Sequence, residues 1–490
     1  MAAPPQQAEA AAFLQRLSGA TPVETHISLV FVGRDSVWKL KKAVRLAFLD
    51  FSSLEARRRF ALRELELNQG AARGMYRDVV PVVRRTDGSL ALGEEGDVLD
   101  WVLRMARVPK QDFLDEVAGA GGLTAGLLDA LGDAVAAFHA GLAPEFPGVV
   151  AAMRHVTEGN ARSALDASLP AAEVQAWRTA ALAALDGLAP WLERRERDGF
   201  VRRAHGDLHL GNLCLWQGKI VPFDALEFDE AMATIDLGYD LAFLLMDLDQ
   251  RVGRAAANRV MNRYVARTGD AALTRGLPLF LSLRAMVRAH VESQRGNGGL
   301  ADRYLGAAAD YLSVREAAIL AIGGLPGTGK SSVARAVAPE LGNAPGALVL
   351  RSDEIRKRQH GLSPEERLPQ EAYSNASSQA VFDELARLTA DAAAGGHTVV
   401  ADATFIDAAD RERMETAARA AGVSFTGVWL EAPVEVLEHR VAARRGDASD
   451  ATLAVLRAAA QAGAGAGTWT AVDAASEVEQ AADAVRIVLI

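Results

Sequence analysis

Cysteine is almost missing from this sequence. Cys214 is the only one in 490 residues, so no intramolecular disulfide can form and a reducing compartment is expected. Long apolar runs are missing as well. No stretch of 18 apolar residues occurs, and the richest candidate, DLGYDLAFLLMDLD, is broken by acids and reads as a buried helix. The N-terminus MAAPPQQAEA has no basic segment leading into an apolar core, so no signal peptide is expected and the expected location is cytoplasmic. Positive charge is in deficit. Fifty-three Lys and Arg against 63 Asp and Glu leave a net charge of -10. That balance disfavours a chain whose main task is coating nucleic acid, while a local basic patch stays open. What is present is ordinary for a globular protein, with 50% hydrophobic and 24% charged residues. The length exceeds what one core usually supports, so two or three domains are expected.

The first 20 residues are rich in Ala and Gln and predict a short helix. THISLVFVGRDSVWKLKKAV reads as a hairpin, two β-rich runs around the turn composition GRDS. SSLEARRRFALRELELNQ predicts a helix capped by Ser52 with Glu55 as its box partner. A second hairpin, VVPVVRR with a DGS turn and LAL, precedes the strand DVLDWVLRMARVP. From about 111 to 200 the pattern is helical. HGDLHLGNLCLWQGKIVPFDAL interrupts it as a loop and hairpin, and helical periodicity resumes over 234–312, with a loop expected at QRGNGGLADR. After about 313, apolar runs (AILAIGG, GALVLRS, HTVVADATF, FTGVWLEAP, TWTAVDA) alternate with helical stretches, the pattern of a parallel α/β domain. The expected division is therefore 1–313, with a small lobe at about 20–108, and 314–490.

The later domain carries GLPGTGKS, which fits GxxxxGK[ST] at every fixed position, after a strand and before a helix. Gly324, Gly327 and Gly329 let the backbone wrap a phosphate with its N–H groups inward, helped by Thr328, Ser332 and the helix N-terminus. Lys330 reaches the β- and γ-phosphates, and Ser331 offers a hydroxyl to Mg2+. Asp353 follows the next strand, at the sheet edge where ligands bind in open α/β folds, and can accept a substrate hydroxyl's proton. Arg356 is near enough to hold a substrate phosphate or acid. Asp402 ends a further strand and can hold Mg2+ or orient the nucleophile. A strand-end turn or a helix cap would account for either Asp. Arg440, Arg444 and Arg445 can close over the transferring group, or simply form a solvated helix face.

The earlier loop, HGDLHLGN, has a different logic. Asp207 can accept a hydroxyl proton, while Asn212 and the later Asp224 supply oxygens to metal ions on the phosphates. His205 and His209 brace the loop by hydrogen bonds rather than form a zinc pair, because no helix carries them. A nucleotide lysine is expected from VWKLKK, where Lys39 and Lys41 share a strand face. Lys39 is preferred for its apolar neighbours, with Glu64 as partner on the following helix and Glu66 as the alternative.

The C-terminal 316–490 resembles the small-molecule and polynucleotide kinase branch of the P-loop fold, which includes gluconate kinases and zeta-type toxins. That resemblance implies Asp353 as base and the RR…DASD segment, with Arg444, as a mobile lid. Residues 25–295 resemble the aminoglycoside and choline kinase-like branch of the protein-kinase fold. This second resemblance implies Asp207 as catalytic base, Asn212 and Asp224 as metal ligands and Lys39 as nucleotide lysine. The order of the two resembles bacterial proteins described as bifunctional. Two departures stand out: FVGRDS holds only Gly33 where protein kinases use several glycines, and Phe-Asp-Ala lacks the usual glycine.

The expected architecture is an α+β two-lobed protein-kinase-like domain followed by an α/β P-loop NTPase domain with a parallel sheet. The expected chemistry is transfer of the γ-phosphoryl of ATP, with Mg2+, to a small-molecule hydroxyl at two sites. Alternatives are one kinase with a nucleotide-sensing domain, or a C-terminal polynucleotide 5′-hydroxyl kinase acting on an RNA or DNA end. No membrane partner is expected.

Overall fold

The computed structural model describes residues 4–46, 49–313, 315–443, 449–461 and 465–489. Contacts group the chain into two compact units: Met1–Leu123, Gly141–Val156 and Ala189–Leu244 form one, and Thr124–Ala140, Thr157–Leu188 and Leu245–Ile490 the other. The helical residues from Leu245 onward group with the parallel sheet in this division.

In the first unit, six strands form an antiparallel sheet in the order Val23–Glu24, Ser28–Val32, Ser36–Lys41, Asp97–Ala106, Tyr76–Arg84 and Leu90–Leu92. Both expected hairpins are present. Strand alternation sorts the side chains of Ser36–Lys41 between two faces. Leu40 and Trp38 pack with Leu14, Phe31 and Val102 beneath the helix Ala8–Ser18. Lys39 and Lys41 point the other way, towards Glu64 on the helix Leu54–Asn68. That helix is capped one residue later than expected. Ser53, not Ser52, accepts from the Ala56 N–H at 3.1 Å, while Ser52 donates to Asp50. Two serines in a row gave no sequence signal for which would take the extended backbone of a cap. Thr234–Asp236, expected as helix, is a short strand paired with Val201–Arg203.

In the second unit all five apolar runs form strands of one parallel sheet, in the order Leu348–Arg351, Val399–Asp402, Ala318–Gly324, Ser424–Glu431 and Thr470–Asp473. Leu320, Ile322, Val400, Val428 and Val333 sit in its core. The segment expected as a loop at 294–303 is mostly helical, since Gly298–Leu312 forms a helix directly after Asn297. Gly298 and Gly299 sit in its first turn, where an uncompleted hydrogen-bond ladder makes glycine less costly than in a helix interior. Leu348–Arg351 is an edge strand. Its exposed backbone groups are covered by the helix Arg254–Thr268: Asn262 accepts from the Val349 N–H at 2.7 Å, and Asn258 donates to the Ala347 carbonyl at 2.9 Å. Replacing Asn262 by Leu strands that N–H, so Asn262→Leu should cost about 1–3 kcal/mol in urea unfolding. A loss below about 0.5 kcal/mol would mean the edge needs no such partner.

Two candidate phosphotransfer sites

The first site is built in the first unit around an ionic network. Lys39 Nζ lies 2.8 Å from Glu64 and 2.5 Å from Asp224, while Lys41 Nζ lies 2.7 Å from the other Glu64 oxygen and also pairs with Glu227. Both lysines of the pattern therefore meet one carboxylate, and Glu66 instead pairs with Arg63. Burial alone would lower the Lys39 ammonium, but Asp224, Glu64 and Glu227 hold it well above its ordinary value. Lys41 is raised in the same way, against burial, by Glu227 and Glu64.

The loop carrying Asp207 is held by its backbone. Asp240, fully buried, accepts from the N–H groups of His205 at 3.1 Å and Gly206 at 2.9 Å. His205 bridges two loops: one ring nitrogen is 2.9 Å from the Phe223 carbonyl, and the other accepts from the Asp207 N–H at 3.3 Å. Burial pushes this ring below its ordinary range, against the pull of Asp240 and Asp207, so it works as a neutral buckle. Among the described residues no three His, Cys, Asp or Glu side chains converge in a metal-holding group. Asn212 donates its amide nitrogen to Asp207, at 2.9 Å from both the carbonyl and the carboxylate. The Phe223 N–H donates to the Asn212 carbonyl at 3.0 Å, bringing Asp224 beside this loop. Asp224 itself has φ of 61°, a conformation Asp tolerates better than most residues. Its N–H donates to the Tyr76 hydroxyl, and that of Ala225 to Asn68, both at 2.9 Å. Side chains of the small lobe thus hold the strained turn that a glycine would otherwise relax. Asp207 and Asp224 remain 44% and 38% exposed, open to a ligand.

Gly33 has a local explanation. A Cβ there would lie 2.6 Å from the Trp38 ring. The hairpin needs this glycine for packing, whatever phosphate it meets.

The second site lies in the second unit. Gly324 and Gly327 have φ of 145° and 90°, and a Cβ on them would meet the carbonyls of Leu430 at 2.6 Å and Leu437 at 2.8 Å. Gly329, at φ 86°, caps the helix Lys330–Val337. Thr328 Oγ1 and Lys330 Nζ both donate to the Leu325 carbonyl, at 2.8 and 3.0 Å. A cavity of about 1580 Å3 opens here, lined by Lys330, Ser331, Ser332, Asp353, Arg356 and Asp402 among others. Asp353 stands in the first turn of the helix Ser352–Gln359. Burial raises its carboxyl above the ordinary range and Asp402 adds to this, with Arg351 opposing. Arg356 donates to the Ala372 carbonyl at 2.9 Å and stacks 4.9 Å from the Tyr373 ring, leaving a buried Nε with no partner among the described residues. Arg440 lines the same cavity but donates to three carbonyls, those of Ala474, Ala475 and Ser476, at 2.6–2.9 Å. Its guanidinium fastens the loop after Thr470–Asp473, a task that a substrate contact would have to share. Arg444 and Arg445 lie outside the described residues.

Sequence reasoning missed Tyr76, Asn68, Asp240 and Arg351, and the pairing of Glu227 with Lys41. Each acts through distant chain segments, and only the buried DLGYD run hinted at Asp240.

A family model described as an AAA domain matches residues 319–463. Proteins described as uncharacterised from Mycobacterium tuberculosis and Mycobacterium bovis are 29% identical over 457 residues, covering 89% of this chain and of each relative. Among solved structures, a GDP complex of an aminoglycoside 2′-phosphotransferase is 14% identical, covering 62% of this chain and 98% of its own, with a TM-score of 0.38. A gluconokinase from Sinorhizobium meliloti is 22% identical, covering 36% and 93%, with a TM-score of 0.26. The model of the phosphotransferase enzyme family matches residues 33–277, half of the sequence, and the chain belongs to that family, its kinase-like part followed by a P-loop domain.

Proposed function

We propose that the chain is an ATP-dependent phosphotransferase with two nucleotide sites, each passing the γ-phosphoryl group to a hydroxyl of a small molecule. The observation that carries this reading is that each unit holds its own lysine, carboxylate and oxygen donors, with no residue shared between the two sets. In the first site Lys39, oriented by Glu64, binds nucleotide phosphates. Asp207 takes the acceptor hydroxyl's proton as its oxygen bonds to the γ-phosphorus, and the bond to the ADP oxygen breaks. In the second, Lys330 and the N–H groups of the loop 324–331 hold the phosphates and Asp353 takes the proton. Arg356, with its spare buried N–H at the cavity wall, fits an acceptor bearing an acid group.

The donor sets fit magnesium, being oxygens only, with few carboxylates and phosphates to complete the shell. Asn212 and Asp224 would hold it in the first site, Ser331 and Asp402 in the second. When bound, it neutralises charge on the phosphate oxygens.

Nucleotide binding tests the reading. Calorimetry with a non-hydrolysable ATP analogue and Mg2+ is expected to give two equivalents for the parent and one for Lys330→Ala. A single equivalent in the parent, or none in the variant, would reject two independent sites.

A further inference from the structure

Arg351 is used by neither set, yet it touches the second from three sides. It ends the edge strand Leu348–Arg351, and its register partner on the next strand is Asp402. Parallel pairing therefore places the arginine beside that carboxylate. The residue is 7% exposed. One terminal nitrogen donates to Ser331 Oγ at 2.9 Å, Nε to Asp402 at 3.2 Å, and the other terminal nitrogen to Glu354 at 3.0 Å. Two of these three acceptors are the oxygens assigned above to magnesium.

We propose that Arg351 is a built-in counter-cation of the P-loop site, clamping Ser331 and Asp402 until a divalent ion competes for the same two oxygens. This rests on the assignment of Ser331 and Asp402 to the metal. Two cations cannot share such close oxygens without strong repulsion in a buried setting. When the metal takes them, the guanidinium keeps Glu354. A second cavity, of about 380 Å3, is lined by Arg351, Glu354, Glu365 and Asn262 and gives it room to turn. The strand itself stays put, because Asn262 holds the Val349 N–H. The arginine thus sets how much Mg2+ the site demands. An arginine that merely oriented the two oxygens would have the opposite effect, since its loss would weaken the metal.

The test is a Mg2+ titration of fluorescent ATP-analogue binding, taking as the P-loop component the part lost in Lys330→Ala. Arg351→Gln, which keeps a hydrogen-bond donor without the charge, should lower the Mg2+ midpoint roughly tenfold. Arg351→Lys, whose ammonium cannot span both oxygens, should lower it less. A midpoint that rises or stays unchanged in both variants overturns the proposal while leaving the metal assignment intact. A parent whose P-loop component ignores Mg2+ overturns that assignment, and the proposal with it.

Discussion

Asp207→Asn should lower phosphoryl transfer at the first site by about 10²–10⁴-fold while leaving nucleotide affinity at both sites close to the parent's. The side chain is replaced by one of the same shape that takes no proton from the acceptor. Little else should move. The loop is fastened by Asp240 through the His205 and Gly206 N–H groups, and by the neutral His205 ring, none of which needs the Asp207 charge. Asn212 still has the residue 207 carbonyl to donate to. In the proposed site the phosphates are met by Lys39, whose partners are Glu64 and Asp224 rather than Asp207. Initial rates over a panel of small alcohol acceptors, with ADP release as the signal, measure the loss. Lys330→Ala supplies the background free of the second site. A residual rate within tenfold of the parent would remove Asp207 from the role of base.

The two halves differed in how far sequence could carry the reading. The P-loop domain was readable nearly strand by strand, because buried parallel strands are continuous apolar runs and the phosphate loop is a local motif. The first site depended on long-range pairing. The period of two put Lys39 and Lys41 on one face, and helical spacing put Glu64 opposite. Neither could show that Glu64 would take both lysines, or that Glu227, 186 residues from Lys41, would close the network. The same limit hid Arg351, whose neighbour Asp402 is fixed by strand register rather than by spacing. It also hid Asn258 and Asn262, ordinary helix residues until an edge strand lies against them.

Lys41 and Lys39 should fail in different ways when replaced. Lys41 is 2% exposed, between Glu64 at 0% and Glu227 at 4%. The network of Lys39, Lys41, Glu64, Glu227 and Asp224 holds two positive and three negative groups. Lys41→Met leaves one against three, with two of the carboxylates, Glu64 and Glu227, buried. Breaking a buried pair by removing one partner costs about 3–5 kcal/mol, and this variant should fall in that range. Lys39→Met removes the same charge, but its buried partner Glu64 keeps Lys41, and its other partner Asp224 is 38% exposed and can be solvated. That variant should fold nearly as well as the parent and lose nucleotide at the first site instead. Glu64→Gln leaves two charges of each sign and should cost less than Lys41→Met, though both lysines touch it. The pH dependence follows from the raised Lys41 ammonium. Its contribution is fully present below the unfolded value near pH ~10.4 and is lost only as pH rises through the higher folded value. The gap between parent and Lys41→Met in urea unfolding should therefore be the same at pH 6 and pH 8 and close only in strong alkali. A Lys41→Met protein as stable as the parent, with nucleotide binding lost, would exchange the roles of the two lysines.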